Sequence, residues 1–110
     1  PSHKASFMYV GQERRLLPAH FKALANPTRL RILERLAEAG EMSVNELARY
    51  LRMSQPRVSW HLTMLRRGGV VKQRKEGRQV HCSLDLDEIR RRQLAFWQML
   101  TEKKRIGGTP

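Results

Sequence analysis

The sequence predicts a mostly α-helical domain of about five helices with a small β-hairpin. Apolar residues recur three and four apart from Leu17 to Leu65, and Gly68-Gly69 then interrupts them. Beyond the glycines the period changes to two, with Val71 on one side of a polar loop and Val80, Cys82 and Leu84 on the other. Helical spacing returns after Asp85. The folded unit is assigned to residues 16–104, between flexible segments 1–15 and 105–110.

Each element has its own signal. Leu17, Phe21 and Leu24 make a short first helix that stops at Asn26-Pro27. Asn26 as N-cap and Pro27 at the first helical position open a second helix, with Leu30, Ile32, Leu33 and Leu36 inward and Gly40 as its stop. Ser43 followed by Glu46 is a capping box, which predicts a third helix from Val44 to about Arg52 with Val44, Leu47, Ala48 and Leu51 inward. Only RMSQPR separates Leu51 from Val58, so a tight turn leads into a fourth helix capped by Ser54 and running to Arg67. The pair reads as a helix-turn-helix. The hairpin carries Arg74, Lys75 and Arg78 around a loop QRKEGRQ with Gly77 near its tip, and a last helix starts near Asp85 or Asp87.

At 110 residues the core is modest, so extra burial through self-association is expected. Leu94, Phe96, Trp97, Met99 and Leu100 with Ile89 spread over more than one stripe of the last helix, too wide for that core alone. A formal net charge of +12 attracts a polyanion, nucleic acid before an anionic membrane. From Arg49 to Arg78 nine basic residues stand against one acid, a net of +8 and two-thirds of the whole excess. One cysteine, Cys82, provides neither an intramolecular disulfide nor a cysteine cage for zinc. No apolar run reaches signal-peptide or membrane-spanning length, so a soluble cytoplasmic protein with no membrane partner is expected. No nucleophile with base and orienting group, no paired carboxylates and no glycine-rich phosphate loop point to an enzyme.

The fourth helix carries the chemistry. At about 100° per residue Val58, Leu62 and Leu65 fall together, while Pro56, Ser59, Trp60, Thr63 and Arg67 lie roughly opposite. Gln55 and Arg57 flank that outer face at its N-terminal end. Such a face suits the major groove of double-stranded DNA, where Gln pairs with adenine, Arg with guanine, and apolar groups meet the thymine methyl. Base readout is assigned to Ser54, Gln55, Pro56, Arg57, Ser59, Trp60 and Thr63; phosphate contact falls to Arg52, His61, Arg67, Lys75 and Arg78. The competing reading buries Trp60 against a neighbouring element or a second subunit and leaves the arginines on a solvated face.

From Ala23 to Asp85, and most specifically in "LANPTRLRIL", "SQPRVSWHL" and "LRRGGVV" to "EGRQVHCSL", the chain resembles winged helix-turn-helix repressors of the ArsR/SmtB family. The resemblance implies a homodimer formed largely by the first and last helices, a pseudo-palindromic operator, and repression relieved by a signal. Leu17, Phe21, Phe96, Trp97 and Leu100 are the expected dimer contacts. Many members sense metals through cysteines in a stretch of the form ELCVCDL; here it reads EMSVNEL, with Ser43 and Asn45 in place of the thiolates. No histidine follows His81, so the familiar site on the last helix is missing too. No cofactor is required, and the one candidate divalent metal site is His3 and His20, with a carboxylate such as Glu13. Cys82 points inward, where a thiol acts as a small apolar group.

The expected function is a dimeric, sequence-specific DNA-binding transcriptional repressor responding to an unknown effector or partner protein. The alternatives are a nonspecific nucleic-acid-binding protein and a metal sensor using the N-terminal histidines.

Overall fold

The structure is a computed structural model describing residues 13–107, with side chains as far as Glu102. After a 3-10 turn at Arg14–Leu16, helix α1 spans Leu17–Leu24, α2 Pro27–Ala39, α3 Val44–Leu51, α4 Gln55–Arg67 and α5 Leu86–Gly107. Strands β1 (Met42–Ser43), β2 (Val71–Glu76) and β3 (Gln79–Leu84) form one antiparallel sheet in the order β1-β3-β2. This is a winged helix-turn-helix fold, with α3 and α4 as the helix pair and β2–β3 as the wing.

The helix starts are where local chemistry puts them. Asn26 Oδ1 accepts the Arg29 amide at 3.0 Å, and Pro27 follows it. Ser43 Oγ accepts the Glu46 amide at 3.1 Å while Glu46 accepts the Ser43 amide at 2.8 Å, closing the capping box. Ser54 accepts the Arg57 amide at 3.4 Å, and Asp85 the Glu88 amide at 3.2 Å. Each such cap contributes about 1 kcal/mol.

Two features differ from the sequence reading. The hairpin loop is two residues, Gly77-Arg78, because pairing runs out to Glu76 opposite Gln79. Every side chain of β2 after Val71 is exposed, so no apolar alternation marks that strand in the sequence. The sheet also gains a third strand, since Met42 and Ser43 pair with Cys82 and His81; two residues are too few to show a period.

Ile32 and Leu36 of α2, Leu47 of α3, and Val58, Leu62 and Leu65 of α4 close the core, with Cys82 of β3 fully buried among them. Burial pushes the Cys82 thiol pKa up, away from reactivity. Gly68 lets α1 cross the end of α4: a Cβ there would stand 2.6 Å from that of Ala23 and 3.0 Å from the Ala19 carbonyl. Gly69 has φ +71°, the left-handed region, and lies against the Arg92 guanidinium of α5. No helix among the described residues is long and apolar enough to cross a membrane.

Candidate nucleic-acid interface

The turn between α3 and α4 is set by Arg52, a non-glycine residue at φ 55°, ψ 48°. That left-handed cap costs about 1 kcal/mol and redirects the chain within three residues, so that α3 packs across α4. The Gln55 amide donates to Asn45 Oδ1 of α3, tying the two helices together at their exposed end.

Helix α4 divides as its spacing requires. Val58, Leu62 and Leu65 are buried; Ser54, Gln55, Pro56, Arg57, Ser59 and Trp60 are exposed on one continuous surface. Thr63 is half-buried, with its hydroxyl donating to the Ser59 carbonyl at 3.0 Å. Trp60 is 56% exposed, so within the chain it is not a core residue. Its indole lies over the Arg29 guanidinium, 5.5 Å to the ring centroid, and meets the His61 ring edge-on at 5.2 Å.

His61 is a correction. Rather than reaching a phosphate it is 6% exposed, and its Nδ1 accepts from the Arg29 guanidinium at 3.2 Å. Burial first, then the charges of Arg29 and Arg57, holds its pKa below the ordinary histidine value. The imidazole is therefore a neutral strut inside the domain. Arg29 itself is the residue that sequence reasoning missed: buried, it also donates to the carbonyls of Ala23 at 2.8 Å and Lys22 at 3.0 Å. Its side chain caps the end of α1 and backs α4, while its backbone amide meets the Asn26 cap that starts α2. Its spacing from Ile32 and Leu36 on the inner stripe of α2 was the available signal.

Arg52 and Arg67 are exposed at the two ends of this surface, and Lys75 and Arg78 at the end of the wing. Arg74, counted in the basic stretch, is held by Glu41 and Glu76, each at 2.8 Å, and its hydrogen bond keeps the Glu41 carboxyl below the usual range. The wing is thus less cationic than its sequence suggests.

Away from α4, Phe21 of α1 and Phe96 of α5 pack edge to face at 4.9 Å, and Trp97 and Leu100 of the same helix α5 are exposed. Leu17, grouped with these as a dimer contact, is 5% exposed and already buried within the chain. His20 is likewise fully buried: Nδ1 donates to the Gly68 carbonyl at 2.7 Å and Nε2 accepts from Gln93 at 2.9 Å. With both nitrogens engaged and Glu13 paired to Arg91 at 3.1 Å, neither is disposed as a metal ligand; His3 lies outside the described residues. Ser43 and Asn45 do not fit a thiolate-type centre either, since one caps α3 and the other takes Gln55. Among the described residues no group of three or more His, Cys, Asp or Glu could hold a metal ion.

A helix-turn-helix with an exposed polar and aromatic second helix, followed by a basic hairpin, defines a winged helix-turn-helix domain of the nucleic-acid-binding kind. The family described as "Bacterial regulatory protein, arsR family" matches residues 26–73. The chain is 47% identical over 70 residues to the arsenical resistance operon repressor of Escherichia coli, covering 63% of this chain and 60% of that protein. It is 34% identical over 65 residues to the transcriptional repressor SdpR of Bacillus subtilis, covering 59% of this chain and 71% of that protein. Among solved structures, the homodimeric winged helix-turn-helix DNA-binding domain Mb0332 of Mycobacterium bovis superposes with TM-score 0.63 at 26% identity, over 96% of this chain and 90% of that one. The chain belongs to the ArsR family. It spans about three-fifths of the length of the first curated relatives it matches.

Proposed function

We propose that the chain is a sequence-specific double-stranded DNA-binding transcriptional regulator that acts as a homodimeric repressor. The observation that carries this reading is the outer face of α4, where Gln55, Pro56, Arg57, Ser59 and Trp60 stand exposed on a helix whose other face is fully packed. Gln55 and Arg57 supply the side chains that pair with adenine and guanine, Ser54, Ser59 and Thr63 add hydroxyls, and Pro56 and Trp60 supply apolar surface. Arg52, Arg67, Lys75 and Arg78 hold phosphates. Two copies joined through α1 and α5 present two α4 helices about 34 Å apart, one turn of a pseudo-palindromic operator. Two relatives named as repressors and a homodimeric structural neighbour support this assignment.

The commitment of the thiolate positions and His20 to hydrogen bonds within the fold favours a small molecule or a partner protein over a metal as the signal that releases the operator. Binding of the purified protein to its own promoter region and to a scrambled duplex, over a salt series and with or without nickel or zinc, tests the reading. A large preference for one site that is indifferent to metal is expected. Equal affinity for both duplexes would make this a nonspecific nucleic-acid binder, and a metal-dependent change would return the N-terminal histidines to consideration.

A further inference from the structure

Pro56, Arg57, Trp60 and His61 line a depression of about 360 Å³ on the surface of α4. These positions are one and four residues apart, so they form a single patch over one turn and a half of the helix. Its walls are unusual for an otherwise polar face. Pro56 contributes a ring with no N–H, Arg57 its aliphatic stem, and Trp60 an indole. The remaining wall is His61, whose Nδ1 is already taken by Arg29.

The indole is also held in place. Beneath it Arg29 is fixed by three hydrogen bonds, to Ala23, Lys22 and His61, while the His61 ring meets the indole edge-on. A large, half-exposed aromatic normally retains rotamer freedom that binding must remove. Here a rigid cation and a buried ring restrict it beforehand, so contact with a partner costs less ordering.

Resting on the reading of α4 as a groove-reading helix, we infer that this depression receives the C5-methyl group of a thymine, with Trp60 as the specificity-determining residue. Of the groups that base pairs present in the major groove, the thymine C5-methyl is the one that projects apolar bulk, which matches walls made of the Pro56 ring, the Arg57 stem and the Trp60 indole face. Gln55 and Ser59, exposed next to Pro56 and Trp60 in the chain, and the Arg57 guanidinium beyond its stem leave hydrogen-bonding groups on the same helix for the neighbouring base edges. The patch therefore selects T over C at one position in each half-site by burial and not by pairing.

The test uses the duplex that the full chain selects from a randomised pool, with each thymine in turn replaced by uracil, which removes the methyl and leaves the hydrogen-bonding edge unchanged. At one symmetric pair of thymines, one per half-site, the substitution should weaken binding about fourfold per methyl, hence roughly sixteenfold for both. Trp60→Ala should bind the thymine duplex more weakly and lose the discrimination between thymine and uracil. Equal binding of every uracil duplex by the wild-type chain would overturn the proposal, as would a Trp60→Ala variant that keeps the full penalty. Failure to enrich any sequence from the pool would overturn the groove-reading role of α4 as well, which separates the two conclusions.

Discussion

Trp60 and Trp97 protrude to similar degrees, 56% and 63%, in opposite surroundings. Trp60 stands among Pro56, Arg57 and His61 with a buried guanidinium behind its ring, on a face bordered by Gln55 and Ser59. Trp97 stands among Leu94, Leu100 and the Phe21–Phe96 pair. Exposure of a large aromatic thus does not say what covers it; its neighbours do. A preorganised ring on a polar, cationic face suits the proposed DNA contact, whereas an apolar stripe on a long helix suits the proposed contact with a second copy.

That contrast is broken most directly by placing a charge on one side and truncating the other. Trp97→Glu should raise the dimer dissociation constant about a thousandfold by sedimentation equilibrium, because a two-fold interface would bury two carboxylates together. Specific DNA binding should fall with it through loss of the second half-site. Trp60→Ala should leave the sedimentation unchanged while weakening the operator complex about twentyfold. If the two variants behave alike, the two faces do not have separate roles. Between these two in size is Arg29→Ala, which strands the Ala23 and Lys22 carbonyls and removes the partner of His61; urea melts should show a loss of about 3 kcal/mol. A loss under about 1 kcal/mol would mean that the hub beneath Trp60 is dispensable.

The sequence exposed the parts of this arrangement that depend on near neighbours. Asn26, Ser43, Ser54 and Asp85 each accept an amide three residues on, and a cap three residues away is visible in any short window. The outer face of α4 is equally readable, since period alone separates Val58, Leu62 and Leu65 from the rest. What stays hidden depends on distant partners. Arg29 looks like an ordinary helix cation until the fold brings His61 beside it, thirty-two positions away. Arg74 looks like part of a basic wing until Glu41, thirty-three positions earlier, reaches across from the start of the sheet. His61 reads as outward for the same reason: it lies at the margin between the two faces, where one buried cation decides its direction.

The Arg29–His61 pair also sharpens the comparison through pH. In the fold the His61 pKa lies below its ordinary 6.5, so around and below that pH the unfolded chain takes up a proton that the folded chain refuses. The stability that neutral His61 contributes is therefore present above pH 6.5 and lost as pH falls through it. His61→Gln, which keeps an acceptor for Arg29 and cannot be protonated, should melt with a shallower pH dependence between about 7 and 5. An unchanged profile would assign that dependence to other groups.

The smallest expected effect separates cations that look equivalent in the wing. Lys75 and Arg78 stand at the exposed end of the hairpin, whereas Arg74, one residue before Lys75, is tethered to two carboxylates. A cation that neutralises a phosphate releases counterions, so removing one should lower the salt slope of binding by about one unit for each phosphate left unneutralised, on every sequence alike. Lys75→Ala and Arg78→Ala should each do this and weaken binding a few-fold at moderate salt. Arg74→Ala should change the slope less, since Glu41 and Glu76 already compensate its charge and would have to release it before a phosphate could take it. An Arg74 effect equal to those of its neighbours would show that DNA competes successfully for it. Weakening confined to one operator would move Lys75 or Arg78 from holding the backbone to reading bases.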